Sequence, residues 1–166
     1  MTYMDRLREE LDECESVLDL GCGGSSPLKN FKVSRSLGVD AWAPALDEAE
    51  AAGTHTAYLL GDIRQIEIAE TFDVVLMVEV LEHMTTEEGR NLLRRAAGWA
   101  SLKIILTTPK GFLDTGDIPE GHNPYLRHIV GWTEETLKAE GFEVTVFPEA
   151  YGLPGVDMLF AVRRLK

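Results

Sequence analysis

Val17-Leu18-Asp19-Leu20-Gly21-Cys22-Gly23-Gly24-Ser25-Ser26-Pro27 runs from a short apolar segment through an acid and a cluster of glycines into a helix start. The apolar run predicts a buried strand. Gly21, Gly23 and Gly24 permit a tight turn and let a ligand approach the backbone with no Cβ in the way. Ser26 is placed to cap a helical turn whose first residue is Pro27, where the missing N–H does no harm. A strand, a glycine turn and a helix N-terminus together make a place to hold a nucleotide-like ligand.

Outward from this stretch the chain alternates between strands and helices. Before it, Met4, Leu7, Leu11 and Cys14 recur at spacings of three and four, one apolar stripe of an amphipathic helix. After it come strands predicted over 36–39 and 55–60, with a helix between them opened by Pro44 and closed by Gly53. Phe72 to Val78 is nearly all apolar, the mark of a central parallel strand buried on both faces. Thr85-x-x-Glu88 is a capping box opening a helix that carries Leu92, Leu93, Ala96 and Ala100. A fifth strand is predicted over 103–107, and 109–131 reads as an ordered loop or lid. Thr133 caps a helix over 134–140. The segments 142–147 and 156–163 alternate in period two as an antiparallel pair. The expected fold is α/β and Rossmann-like, a mostly parallel seven-stranded sheet with an antiparallel C-terminal hairpin and helices on both faces. One domain over 1–166 accommodates it.

The 166 residues are 45% hydrophobic and 27% charged, with a net charge of −12. That acidic balance argues against general binding of nucleic acid or anionic membrane, since phosphate contacts require basic excess. Runs such as Val74 to Val78 are far too short to span a bilayer, and the charged N-terminus is no signal peptide. Cys14 and Cys22 lack metal or redox spacing, so free thiols and a cytoplasmic location are expected.

Four of the five leading strands end at an acid: Asp19, Asp40, Asp62 and Glu79. Asp40 lies 19 residues after Gly21, a spacing that suits a carboxylate taking two ribose hydroxyls. Its plainer role is to cap the next turn. Asp62-Ile63 can meet an adenine amino group and ring, or form an ordinary Gly-Asp turn. Asp19 can support the glycine loop or attract an ammonium group.

Val17-Leu18-Asp19-Leu20-Gly21-Cys22-Gly23, Asp40, Gly61-Asp62-Ile63 and Phe72-Asp73-Val74-Val75 with Glu79-Val80-Leu81-Glu82-His83 together resemble the class I S-adenosylmethionine-dependent methyltransferases, closest to the small bacterial and archaeal type. The resemblance covers about residues 15–165. It implies S-adenosyl-L-methionine as cofactor, S-adenosyl-L-homocysteine as product and a small-molecule acceptor. It implies cofactor contacts from Asp19, Gly21, Cys22, Gly23, Asp40, Ala41, Asp62, Ile63, Val78 and Glu79. The third glycine of the family's G-x-G-x-G pattern is replaced by Ser25. A nicotinamide-dependent oxidoreductase also fits the glycine loop with Asp40, but its fingerprint is broken at Ser26. A non-catalytic binding module fits the short chain and open pocket.

For proton removal from an acceptor the candidates are His83 and His128, with Glu79 and Glu82 beside them. His83 has the plainer role of packing against the cofactor pocket. Phe112, Tyr125 and Trp132 are placed to wall an apolar or aromatic acceptor, or to anchor the loop to the sheet. No metal is expected as the first reading. As an alternative, Glu79-x-x-Glu82-His83 with His128 looks like the metal-binding pattern of small-RNA 3′-end 2′-O-methyltransferases. A monomer or a homodimer is expected.

Overall fold

The computed structural model describes residues 1–166. Seven strands form one sheet: β1 (Ser16–Leu20), β2 (Arg35–Asp40), β3 (Ala57–Leu60), β4 (Phe72–Val78), β5 (Ala100–Pro109), β6 (Glu143–Phe147) and β7 (Met158–Arg164). Their order is β3-β2-β1-β4-β5-β7-β6. The first five are mutually parallel, and β7 runs antiparallel to both β5 and β6. The C-terminal pair is therefore inserted, with β7 inside the sheet and β6 at its edge. Strand β5 is longer than its apolar run because Lys103 to Pro109 pair with β7 while Ala100 already pairs with Phe72. Strand β3 starts later than expected because Thr56 bonds to Ser36 instead of entering the ladder.

Alternation along each strand splits the core into two layers. Leu18, Leu20, Val75, Met77, Ile104 and Leu106 face one side, under α3 (Thr86–Trp99) and α4 (Glu134–Ala139). Val17, Val74, Leu76, Ile105, Phe160 and Val162 face the other, under α1 (Tyr3–Leu11) and a 3-10 turn, Pro27–Asn30. Helix α2 (Ala43–Ala52) packs on β2 and β3. The capping boxes at Thr85 and Thr133 form as read, and Ser26 Oγ accepts from Leu28 N–H. No helix is long and apolar enough to cross a membrane.

Glu10 is the one acid on α1 that turns inward, and its side chain is almost fully buried. Its carboxylate accepts from Lys103 Nζ at 3.0 Å and from Arg164 Nη2 at 2.9 Å, and pairs with Arg6 Nη2 at 2.9 Å. These bonds tie α1 to β5 and β7. Burial pushes the carboxyl's pKa up, but the bonds from Lys103 and Arg164 outweigh it and hold the group below the usual range. A depressed folded pKa stabilises the protein above the unfolded value and loses that contribution as pH falls through the folded one. Glu10→Gln should therefore cost about 2 kcal/mol at pH 7, less than a fully buried pair because Arg164 and Arg6 reach solvent. Urea melts should show the same deficit down to about pH 5 and a shrinking one below it.

Candidate functional site

The sheet order reverses between β1, which neighbours β2, and β4, and a cleft of about 490 Å³ opens above the carboxyl ends of these strands. Gly21 closes β1 with φ +68°, and a Cβ there would stand 2.8 Å from Val80 Cγ2. Only glycine fits both the left-handed backbone and the close approach. The loop then crosses to β2, where Cys22 N–H donates to Val39 O at 2.9 Å. Asp40, the last residue of β2, accepts from Gly23 N–H and Trp42 N–H, each at 2.9 Å, one on each carboxylate oxygen. The carboxylate is thereby fixed at the cleft wall with acceptor capacity to spare.

On the neighbouring wall, Asp62 is held by Arg64. The Arg64 backbone N–H reaches Asp62 Oδ1 at 2.9 Å, and the guanidinium binds both oxygens, Nη2 at 2.6 Å. These bonds keep the Asp62 carboxyl below the usual range. Arg64 is in turn anchored by Glu88 at 3.3 Å.

Beyond β4 the chain turns sharply. Glu79 has φ +56°, a conformation that costs a non-glycine residue on the order of 1 kcal/mol or more. What holds it is a set of bonds. Glu79 N–H donates to Thr107 O at 3.0 Å, and its carboxylate accepts from Thr107 Oγ1 at 2.8 Å and from the Tyr151 hydroxyl at 2.8 and 2.9 Å. Burial and the Glu79 charge push the Tyr151 hydroxyl far up. Leu81–His83 forms a 3-10 turn. Glu82 on it is buried, with Oε2 accepting from Thr108 Oγ1 at 3.0 Å, and burial followed by the Glu79 charge pushes its carboxyl well above the usual range. Burial lowers the pKa of His83. The rings of His83 and His128 meet edge to face at 4.9 Å.

Of the residues predicted for the site, the cleft is lined by Gly21, Gly23, Asp40, Ala41, Asp62, Ile63, Glu79, His83 and Tyr125. Others lie elsewhere. Asp19 is buried beneath the loop, bonded to Ser26 Oγ at 2.5 Å and His55 Nε2 at 2.8 Å. Cys22 is buried too, because its side chain turns away from the cleft where the glycines turn the backbone, and burial pushes its thiol far up. Val78 belongs to the layer beneath α1. Trp132 is a core residue, its Nε1–H donating to Leu81 O at 3.3 Å and its ring packed over Gly89 of α3. Phe112 points to solvent. His128 reaches the cleft only through His83. Residues that the sequence reading did not assign to the cleft also line it: Arg64, Val80 and Met84, and the loop residues Asn123, Pro124, Leu126, Arg127 and Ile129. Asn123 begins a 3-10 turn, Pro124–Leu126, by accepting from Tyr125 N–H. The neighbouring sequence Gly121 to His128 was a signal for this wall.

A family model described as a methyltransferase domain matches residues 18–100, half of the chain. The chain is 34% identical over 106 residues to (S)-coclaurine N-methyltransferase of Papaver somniferum, covering 58% of this chain and 29% of that protein. It is 32% identical over 107 residues to a ubiquinone biosynthesis O-methyltransferase of Rickettsia bellii, covering 58% of this chain and 45% of that one. It thus spans less than half the length of these curated relatives. Among solved structures, the N-terminal domain of EvdMO1 with SAH bound superposes with a TM-score of 0.72 at 21% identity, over 99% of this chain and 80% of that one. The strand order, the glycine loop with Asp40 and the family match agree: the chain belongs to the class I S-adenosylmethionine-dependent methyltransferases.

Proposed function

We propose that this protein binds S-adenosylmethionine in the switch-point cleft and transfers its methyl group to a small-molecule acceptor. The observation that carries the reading is the Asp40 carboxylate, fixed by the Gly23 and Trp42 amides beside a glycine loop that no Cβ-bearing residue can replace. Asp40 suits the two ribose hydroxyls, Asp62 and Ile63 the adenine, and Gly21 and Gly23 the close passage of the methionyl part. The small-molecule acceptor is supported by the names of the relatives, by the net charge of −12 and by the modest cleft. Two free, buried thiols suit a reducing compartment.

A bound sulfonium supplies an activated methyl group. The protein's part is alignment, and holding a nucleophile in line can remove ~7–11 kcal/mol of the barrier. Asn123, Tyr125, Leu126 and Ile129 form the wall against which an acceptor would lie. His83, whose pKa is lowered by burial, presents a neutral imidazole at neutral pH, suited to receive a proton leaving an acceptor O–H or N–H.

Thermal melts test the cofactor half. S-adenosylhomocysteine at about 100 times its Kd should stabilise the fold by about 2.7 kcal/mol. NADH at the same concentration should leave the midpoint unchanged. A shift with NADH and none with S-adenosylhomocysteine would sink the reading. Transfer of a labelled methyl group to phenolic, hydroxyl and amine panels then tests the acceptor half.

A further inference from the structure

Three electron-pair donors converge where β4 turns over: Glu82 Oε1, His83 and His128, with one ligand atom from each lying within 4.8 Å of the others. The hydrogen bonds around them fix their state. His83 Nδ1–H donates to Arg127 O at 3.2 Å, and His128 Nδ1–H donates to Leu113 O at 2.8 Å. Backbone carbonyls only accept, so both Nδ1 atoms carry protons and both Nε2 atoms are left as lone pairs in the neutral rings. An outer-shell carbonyl on the far ring nitrogen is the arrangement that orients a metal-binding imidazole.

The third donor has no partner of its own. Glu82 is 2% exposed, and its Oε1 is buried without a hydrogen bond. The nearest basic atom, His83 Nε2, stands 3.8 Å away, too far for a hydrogen bond. A buried oxygen facing imidazole lone pairs, with no proton between, is an unfavourable grouping unless a positive charge enters it. Glu79 does not join the set, because its carboxylate is already engaged by Thr107 and Tyr151. The four-residue pattern legible in the sequence thus becomes a three-residue one.

From this geometry we propose that Glu82, His83 and His128 bind one divalent transition-metal ion. Two imidazoles and one carboxylate suit Zn²⁺, Co²⁺ or Mn²⁺ better than Mg²⁺, which prefers oxygen. Ligands held about 2.1 Å from one ion lie roughly 3–3.5 Å apart, so the group closes by about 1 Å on binding. Three protein ligands leave positions open, and His83 lies on the wall of the cleft. Resting on the methyl-transfer reading, an ion there would take an acceptor oxygen as a further ligand and favour loss of its proton to solvent.

Metal uptake tests the proposal without reference to activity. The full chain, stripped with a chelator and dialysed, is titrated with Zn²⁺ by calorimetry and with Co²⁺ by visible absorption. One equivalent is expected, with d–d bands that Zn²⁺ abolishes. His83→Ala and His128→Ala should each weaken binding at least tenfold, and Glu82→Gln likewise. His122→Ala, at the exposed end of the loop, should leave it unchanged. The S-adenosylhomocysteine melting shift, taken on each variant without metal, reports separately on folding and on the cofactor site. Absence of uptake by the unaltered chain overturns the proposal, as does uptake that survives both histidine substitutions. His128 is the decisive position if Glu82→Gln fails to fold, since it is only partly buried.

Discussion

Asp40→Ala is expected to weaken S-adenosylhomocysteine binding by roughly 100- to 1,000-fold while leaving stability within about 1 kcal/mol. A hydrogen bond to a charged group contributes about 1.5–3 kcal/mol, and two ribose hydroxyls converge on this carboxylate in the proposed complex. At about 1.4 kcal/mol per tenfold, losing both gives the stated range. The free protein loses less, because the Gly23 and Trp42 amides that Asp40 now engages lie at the cleft and can turn to water. Asp40→Asn should fall between, about tenfold, since its single carbonyl oxygen must serve amide and hydroxyl donors together. Calorimetry gives the affinities and urea melts the stabilities. An Asp40→Ala affinity within threefold of the unaltered chain would falsify the ribose role.

Asp40 was legible because strand, glycine loop and acid stand at a fixed distance along the chain, and the parallel sheet turns that distance into proximity. The same holds for Phe72 to Val78, whose unbroken apolar run fits a strand covered on both faces. The insertion of β7 between β5 and β6 is different. Alternation tells which face a residue takes, not which strand lies beside it. A clue was present in Met158-Leu159-Phe160-Ala161-Val162, five apolar residues in a row that are all buried, against the alternating Glu143-Val144-Thr145-Val146-Phe147 of the edge strand. Trp132 was read as part of an acceptor wall because it follows the 109–131 loop. Its burial depends on Gly89, forty-three residues earlier, leaving room on α3 for the indole ring. No local pattern carries that information. Arg64 sits one residue past the predicted adenine contact, and only the turn at Asp62 shows that its guanidinium folds back onto the carboxylate.

Asp19 sits at the end of β1 like the other acids, yet it should behave oppositely to Asp40. Its carboxylate is 1% exposed and serves two buried groups, Ser26 Oγ at 2.5 Å and His55 Nε2 at 2.8 Å. Ser26 in turn accepts from Leu28 N–H and so starts the 3-10 turn that follows the loop. His55 reaches Asp19 by passing over Gly38 of β2, where a Cβ would lie 2.8 Å from its Nδ1. One buried acid therefore links the end of β1, the far side of the glycine loop and the entry to β3. Asp19→Ala removes the acceptor and leaves a hydroxyl and an imidazole buried without it. Each orphan costs about 1–3 kcal/mol, and the lost contacts add to that, so a total of about 3–5 kcal/mol is expected. For a chain of this length that lowers the melting midpoint by roughly 10 °C. Asp19→Asn keeps one oxygen for Ser26 and should cost about half as much. At a temperature where the variant is still folded, S-adenosylhomocysteine affinity should fall by no more than about tenfold, through a looser loop. A large affinity loss at unchanged stability would instead return Asp19 to direct contact with the ligand.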